Sequence, residues 1–247
     1  MAGLLGVGGG LVIVPMLAYI FTKQNVSSEV VQHMALGTSL ASIMFTSLSS
    51  MRAHHGRGAV EWPIVWRITP GILVGGFIGS WLAAQLSTRT LKGFFVLFLF
   101  TMAAQLLLDI KPKTHKRPGS FGFLSVGSII GGISSLVGIG GGTMSVPFML
   151  RCNVTMHTAI GTSAAIGFPI AFAGAAGYAL NGLRVASLPA NSLGYIYLPA
   201  LCGVALASIF TAPFGARLAH RLPVQRLKTI FAGLLIVIGG KMLIGLM

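Results

Sequence analysis

Carboxylates are almost missing from this chain: Glu29, Glu61 and Asp109 are the only three in 247 residues. None lies deep in an apolar run, which argues against carboxylate proton relays and carboxylate metal sites inside a membrane. Charged residues of every kind reach only 8%, where a soluble domain carries roughly a quarter. There are two cysteines, Cys152 and Cys202. Neither has metal-ligand spacing, so both are expected to be packed thiols. The GxSxG and HExxH patterns are absent, as are paired membrane aspartates. Gly37-Thr-Ser39 has only a superficial likeness to a serine elbow, because Ala41 stands where glycine is needed. No enzyme, catalytic residue, cofactor or metal is therefore expected. The N-terminus has no charged n-region, so no removable signal peptide is expected.

What the chain has in abundance is apolar sequence, 54% of its residues, with a mean hydropathy of +0.87. Apolar stretches near or above the ~20 residues that cross a bilayer recur at about 2–21, 30–51, 63–86, 91–110, 121–150, 157–180, 193–218 and 227–247. This predicts an all-α, polytopic integral membrane protein. The formal net charge is +14, and the 17 Lys and Arg sit almost wholly between the apolar stretches. Membrane insertion puts them there, and no basic stripe is interleaved with aromatics, so no nucleic acid is expected as a partner. The positive surplus attracts anions to the pore mouths.

The sequence also repeats itself. Residues 3–17, GLLGVGGGLVIVPML, match 135–149, SLVGIGGGTMSVPFM, at seven of fifteen positions. His33-Met-Ala-Leu-Gly-Thr-Ser39 recurs as His157-Thr-Ala-Ile-Gly-Thr-Ser163. Gly58 and Gly182 follow these motifs at equal intervals. Pro70 is matched to Pro199, and residues 79–86 to 215–222, with the second half about seven residues longer in between. The linker Lys111-Pro-Lys-Thr-His-Lys-Arg-Pro-Gly119 carries four positive charges. The expected domains are repeat one, 1–110, a basic linker, 111–119, and repeat two, 120–247. Repeat two has an apolar arm, 121–137, before its glycines, whereas repeat one has only residues 1–5. A missing first arm is the expectation for repeat one.

Charge placement bears on topology. If all eight segments cross, the cations divide nearly evenly between the two faces. If each glycine-broken segment re-enters and leaves on one face, twelve cations share one side and five take the other, as the positive-inside rule requires. Each half then has three crossings, and the halves are inverted repeats.

Four glycines in five residues unwind a helix, since each costs about 1 kcal/mol relative to alanine. Unwound backbone at membrane depth must be buried in protein or line a wet cavity. Freed N–H groups and the N-terminus of the resuming helix form an anion-attracting spot. The candidates are Gly8, Gly9 and Gly10 in one copy and Gly140, Gly141, Gly142 and Thr143 in the other. The competing reading is close helix packing. The second candidate set is Gly37, Thr38, Ser39, Gly161, Thr162 and Ser163, whose hydroxyls suit an oxyanion. The competing reading there is back-bonding within the helix. His33 and His157 are candidates for a gate, a proton role or helix capping. Arg52, His54, His55 and Arg57 are candidates for an anion funnel or a plain solvated loop. Gly71, Gly75 and Gly79, spaced by four, read as a packing face.

Gly6-Val-Gly-Gly-Gly10 with Pro15, the two Gly-Thr-Ser triads, and Ala53-His-His-Gly-Arg-Gly-Ala-Val-Glu-Trp62 together resemble the TauE/SafE family of sulfite exporters and sulfonate permeases. The resemblance implies a secondary transporter in the cell (inner) membrane for a sulfur-containing anion such as sulfite or an organosulfonate. Its expected partners are that anion, the lipid bilayer and a second copy in a homodimer, with the linker cytoplasmic. An anion channel on the same framework is the alternative. An intramembrane enzyme or a non-transporting subunit are weaker ones.

Overall fold

A computed structural model describes residues 9–108, 118–208 and 224–244. Residues 1–8, which bear on the expected missing arm and include Gly8, lie outside the described residues, as does most of the linker. The elements are α1 (Gly10–Lys23), α2 (Val31–His55), α3 (Trp62–Gln85), α4 (Thr88–Leu107), α5 (Ser120–Val137), α6 (Gly142–Arg151), α7 (Met156–Gly182), β1 (Ser192–Leu193), β2 (Ile196–Tyr197), α8 (Leu198–Ser208) and α9 (Val224–Ile244). Among the described residues four helices, α2, α3, α5 and α7, are long and apolar enough to cross a membrane.

The expected stretch 121–150 is two helices broken at the glycines. Gly138 caps α5 in the left-handed region, at φ 74°, where its N–H bonds to Ser134 O at 2.8 Å. A glycine takes that conformation without the Cβ penalty of other residues. The stretch expected to begin at 193 does not start as a helix. Residues 192–197 form a two-stranded antiparallel hairpin with Gly194 at φ 55°, and α8 starts only at Leu198. This hairpin is the one departure from an all-α chain among the described residues.

Helix ends follow local chemistry. Ser87 caps α4 by accepting from Thr90 N–H at 3.2 Å. Proline at the second residue of α3 costs nothing there, since its missing N–H has no helical partner. α1 and α6 both end in a Schellman turn with asparagine left-handed, Asn25 at φ 56° and Asn153 at φ 64°. Val26 N bonds Phe21 O and Val154 N bonds Met149 O, each at 3.1 Å.

α3 lies flat on α5, and glycine allows it. A Cβ added to Gly71, Gly75 or Gly79 would sit 2.1, 2.0 or 2.5 Å from the carbonyl oxygens of Leu124, Ser128 and Gly132. The packing reading of that spaced triplet holds. α2 and α7 are the two most enclosed spans. α2 buries Gln32, His33, Thr38, Ser39, Ser42, Thr46 and Ser47 along its length. Large apolar side chains point outward instead from α3, α4 and α5, among them Trp66, Trp81, Leu97 and Ile129. A polar, enclosed centre inside an apolar exterior is the pattern of a bundle solvated by lipid. Cys152 is buried, as expected. Cys202 is exposed on α8, which corrects the packed-thiol expectation for that residue: it lies on an outward face of its helix.

Candidate functional site

The two glycine breaks share one geometry. Gly9 precedes α1 at φ 74°, ψ −11°, and Gly141 precedes α6 at φ 73°, ψ −9°. Both positions are left-handed and need glycine. Gly9 O accepts from Val12 and Ile13, and Gly141 O from Met144 and Ser145. The breaks touch, because a Cβ on Gly10 would lie 2.3 Å from Gly138 O. Residues 138–142 are all buried. The α6 N-terminus therefore points its first N–H groups into the interior of the protein rather than into solvent.

Polar side chains gather at that spot. Ser134 is fully buried, and among the described residues its Oγ has no hydrogen-bond partner. That oxygen lies 3.4 Å from where a Cβ on Gly141 would stand. Thr143 Oγ1, one residue into α6, is likewise buried and unpartnered. Ser145 Oγ donates to Ser163 Oγ at 2.9 Å. Ser39 Oγ donates to Gly138 O at 2.9 Å and so joins α2 to the break. Gly140 O sits 3.3 Å from the Cβ position of Gly167, next to Ser47, so α2 and α7 close around the backbone. The structure thus brings together Gly9, Gly10, Ser39, Gly140, Gly141, Gly142, Thr143 and Ser163.

Thr38 and Thr162 do something that their sequence did not announce. Thr38 Oγ1 accepts from Tyr197 N–H at 3.0 Å, and Thr162 Oγ1 accepts from Glu61 N–H at 2.9 Å. Gly37 lets the Tyr195 carbonyl come within 2.8 Å of its Cβ position, and Gly161 admits the Ala59 carbonyl to 2.2 Å. Each Gly-Thr pair thus grips the backbone just before a helix of the other half of the chain. The grips locate the counterpart of residues 58–61, with Gly58 at φ 67°, at residues 194–197, with Gly194 at φ 55°. Gly58 therefore pairs with Gly194, not Gly182. Pro199 pairs with Pro63, two residues into α3, not with Pro70. The interval from that proline to the Gly79 and Gly215 blocks is then equal in both halves. The extra length of the second half lies instead at residues 183–194, a connection that the first half lacks.

The remaining candidates do not join the site. His33 is buried, and its Nε2 lies 3.1 Å from both Ala83 O and Leu86 O. It caps the C-terminal end of α3 and stacks on Tyr195 at 5.0 Å. His157 is exposed at the start of α7. Arg52, His54 and His55 occupy the last turn of α2 and Arg57 follows it, beyond Ser47 and roughly 20 Å or more along the axis from Ser39 at 1.5 Å per residue. There His55 Nδ1 accepts from Trp62 Nε1 at 3.2 Å.

Sequence reasoning missed Ser134 and Ser135. Ser134 lies just before the repeated stretch and Ser135 opens it opposite Gly3, so neither serine is matched in the other copy. It also missed the Lys23-Gln-Asn-Val26 and Arg151-Cys-Asn-Val154 turns, whose shared Asn-Val and preceding cation were a usable signal. A cavity of about 400 Å³ lies away from the breaks, at the C-terminal end of α1, lined by Phe21, Gln24, Asn25, Ser27, Ser187 and Tyr197 among others.

Similar proteins set the context. The family model described as "Sulfite exporter TauE/SafE" matches residues 1–242. A probable membrane transporter protein of Haemophilus influenzae is 36% identical, covering 98% of this chain and 92% of its own. Probable membrane transporter proteins of Bacillus subtilis (YunE) and Methanocaldococcus jannaschii are 26% and 27% identical, covering 97% and 99% of this chain and 91% of their own. No solved structure matches. The buried, glycine-broken helices inside an apolar bundle and these relatives lead to one conclusion: the chain is a multi-pass membrane transporter that belongs to the TauE/SafE family.

Proposed function

We propose that the chain is a secondary transporter of a small sulfur-containing oxyanion, held where the two glycine breaks meet. One observation carries this reading: a buried helix N-terminus, α6, faces an unpartnered, fully buried hydroxyl, Ser134. N–H groups and hydroxyls bind an anion while leaving it able to depart. A fixed cation would hold it more tightly. In this reading the anion passes unmodified.

The framework of the proposal is two inverted repeats, each with one re-entrant segment and three crossings, moving by alternating access. Contacts between loops support it. Residues 24–27 and 187–189 line one cavity, Lys241 Nζ lies 4.8 Å from the Tyr19 ring beside Lys23, and Thr162 near the start of α7 bonds Glu61. Re-entrant segments put each of these pairs on a common face. Eight full crossings would put each pair on opposite faces.

The test is Ser134→Ala in proteoliposomes loaded with radiolabelled sulfite. A buried hydroxyl without a partner costs about 1–3 kcal/mol of desolvation, so its removal is expected to leave thermal stability equal or higher. Flux is expected to fall at least tenfold. Unchanged flux would remove Ser134 from the site, and flux that never saturates would indicate a channel.

A further inference from the structure

We infer that the 400 Å³ cavity is the anion's outer vestibule and that the Thr38–Tyr197 contact is the door between it and the glycine breaks. This rests on the transporter reading above. Tyr197 is the hinge of the argument because it belongs to both compartments. Its ring lines the cavity and meets Phe21 edge-on at 5.6 Å. Its backbone N–H bonds Thr38 on α2 at 3.0 Å. The next residue of α2, Ser39, bonds Gly138 O at the break. Two consecutive α2 residues therefore link the cavity's lining to the glycine break.

The lining fits a passing anion. Gln24, Asn25, Ser27 and Ser187 offer neutral donors, and among the described residues none that lines the cavity carries a charge. Lys23, the residue before Gln24, is exposed and adds positive charge at this end of α1, which draws anions toward it. The volume lies within the ~300–1,000 Å³ range of small-molecule sites. The roof comes from the 183–194 connection, at Ser187, Leu188 and Pro189. The equivalent stretch of the first half runs directly from α2 to α3 in six residues, 56–61. The vestibule is therefore built on one face only, while the latch itself occurs twice: Thr162 grips Glu61 on the other side. Opening the Thr38 latch with the Thr162 latch closed would connect the breaks to the vestibule alone.

The test uses the full-length protein with Cys202→Ala, which removes the exposed thiol. Ser187→Cys and Gln24→Cys are each treated on intact cells with a membrane-impermeant sulfonated maleimide, whose thioether survives sulfite. Both are expected to label from outside, and the adduct on Ser187→Cys is expected to cut sulfite flux at least tenfold. Leu183→Cys, exposed in the same connection but away from the cavity, is expected to label without loss of flux. For the door, Ser134→Cys should label slowly from outside. Adding Thr38→Val should speed that labelling at least tenfold, and Thr38→Ser, which keeps the oxygen, should not. Labelling of Ser187→Cys only from the cytoplasmic face, or an unchanged rate with Thr38→Val, overturns the inference. The labelling arms need no transport, so they decide the vestibule even if sulfite is not carried.

Discussion

At the scale of single residues, the same motif has different duties at adjacent positions. In Gly37-Thr-Ser39, glycine admits a foreign carbonyl, threonine accepts an N–H, and serine donates to the glycine break. Removing the threonine oxygen leaves the half-buried Tyr197 N–H unpaired, at a cost of about 1 kcal/mol. Thr38→Val and Thr162→Val are each expected to lower the thermal midpoint in detergent, with Thr→Ser restoring most of the loss. Gly141→Ala meets two penalties. An L side chain in the left-handed region costs roughly 1–2 kcal/mol, and its Cβ would lie 2.2 Å from Ile170 Cδ1. Loss of sulfite flux with membrane insertion intact is the expected result, measured by fractionation and proteoliposome uptake. Repetition made the glycines legible in the sequence. The roles of Thr38, Ser39 and Thr162 were not legible, because their partners Tyr197, Gly138 and Glu61 lie 159, 99 and 101 residues away in the other half of the chain.

At the scale of elements, turns and packing faces are local and mostly readable. The three glycines of α3 declare a contact face by spacing alone, and α5 meets them through its backbone. Gly75→Ala would place a Cβ 2.0 Å from Ser128 O. Overpacking of this kind costs about 1–3 kcal/mol, and a lower unfolding temperature with α3 still inserted is expected. The asparagine turns provide a sign test. Asn153→Gly is expected to be neutral or stabilising, while Asn153→Ala is expected to lose about 1 kcal/mol, since glycine tolerates positive φ and alanine does not. The hairpin at 192–197 was not legible. Its apolar residues continue into α8 without a break in hydropathy, and only Gly194 marks the turn.

At the scale of the whole molecule, charge and repetition do most of the work. Counting cations on each face gives the re-entrant arrangement as an expectation, and in the proposed framework residues 24–27 and 187–189 share one cavity because of it. The four positive charges of the linker make the cytoplasm its expected side. A cysteine at Ser120 is expected to label with an impermeant reagent only after permeabilisation of the inner membrane. Labelling in intact spheroplasts would reverse the topology. Pairwise matching by interval failed where one half carries an extra connection, because equal spacing assumes that both copies have the same loops.

The crossed grips of Thr38 and Thr162 also bear on how the protein is made. α2 is synthesised with its polar row of Gln32, His33, Thr38, Ser39, Ser42, Thr46 and Ser47 uncovered. The residue that Thr38 binds, Tyr197, is 159 positions later in the chain. Ser42, Thr46 and Ser47 bond carbonyls of α2 itself, but until the ribosome has delivered Tyr197 the Thr38 oxygen lacks its partner. The first half alone is therefore expected to be an incomplete folding unit, and a fragment ending near the linker is expected to be degraded. Supplying the missing half from a second gene should rescue that fragment.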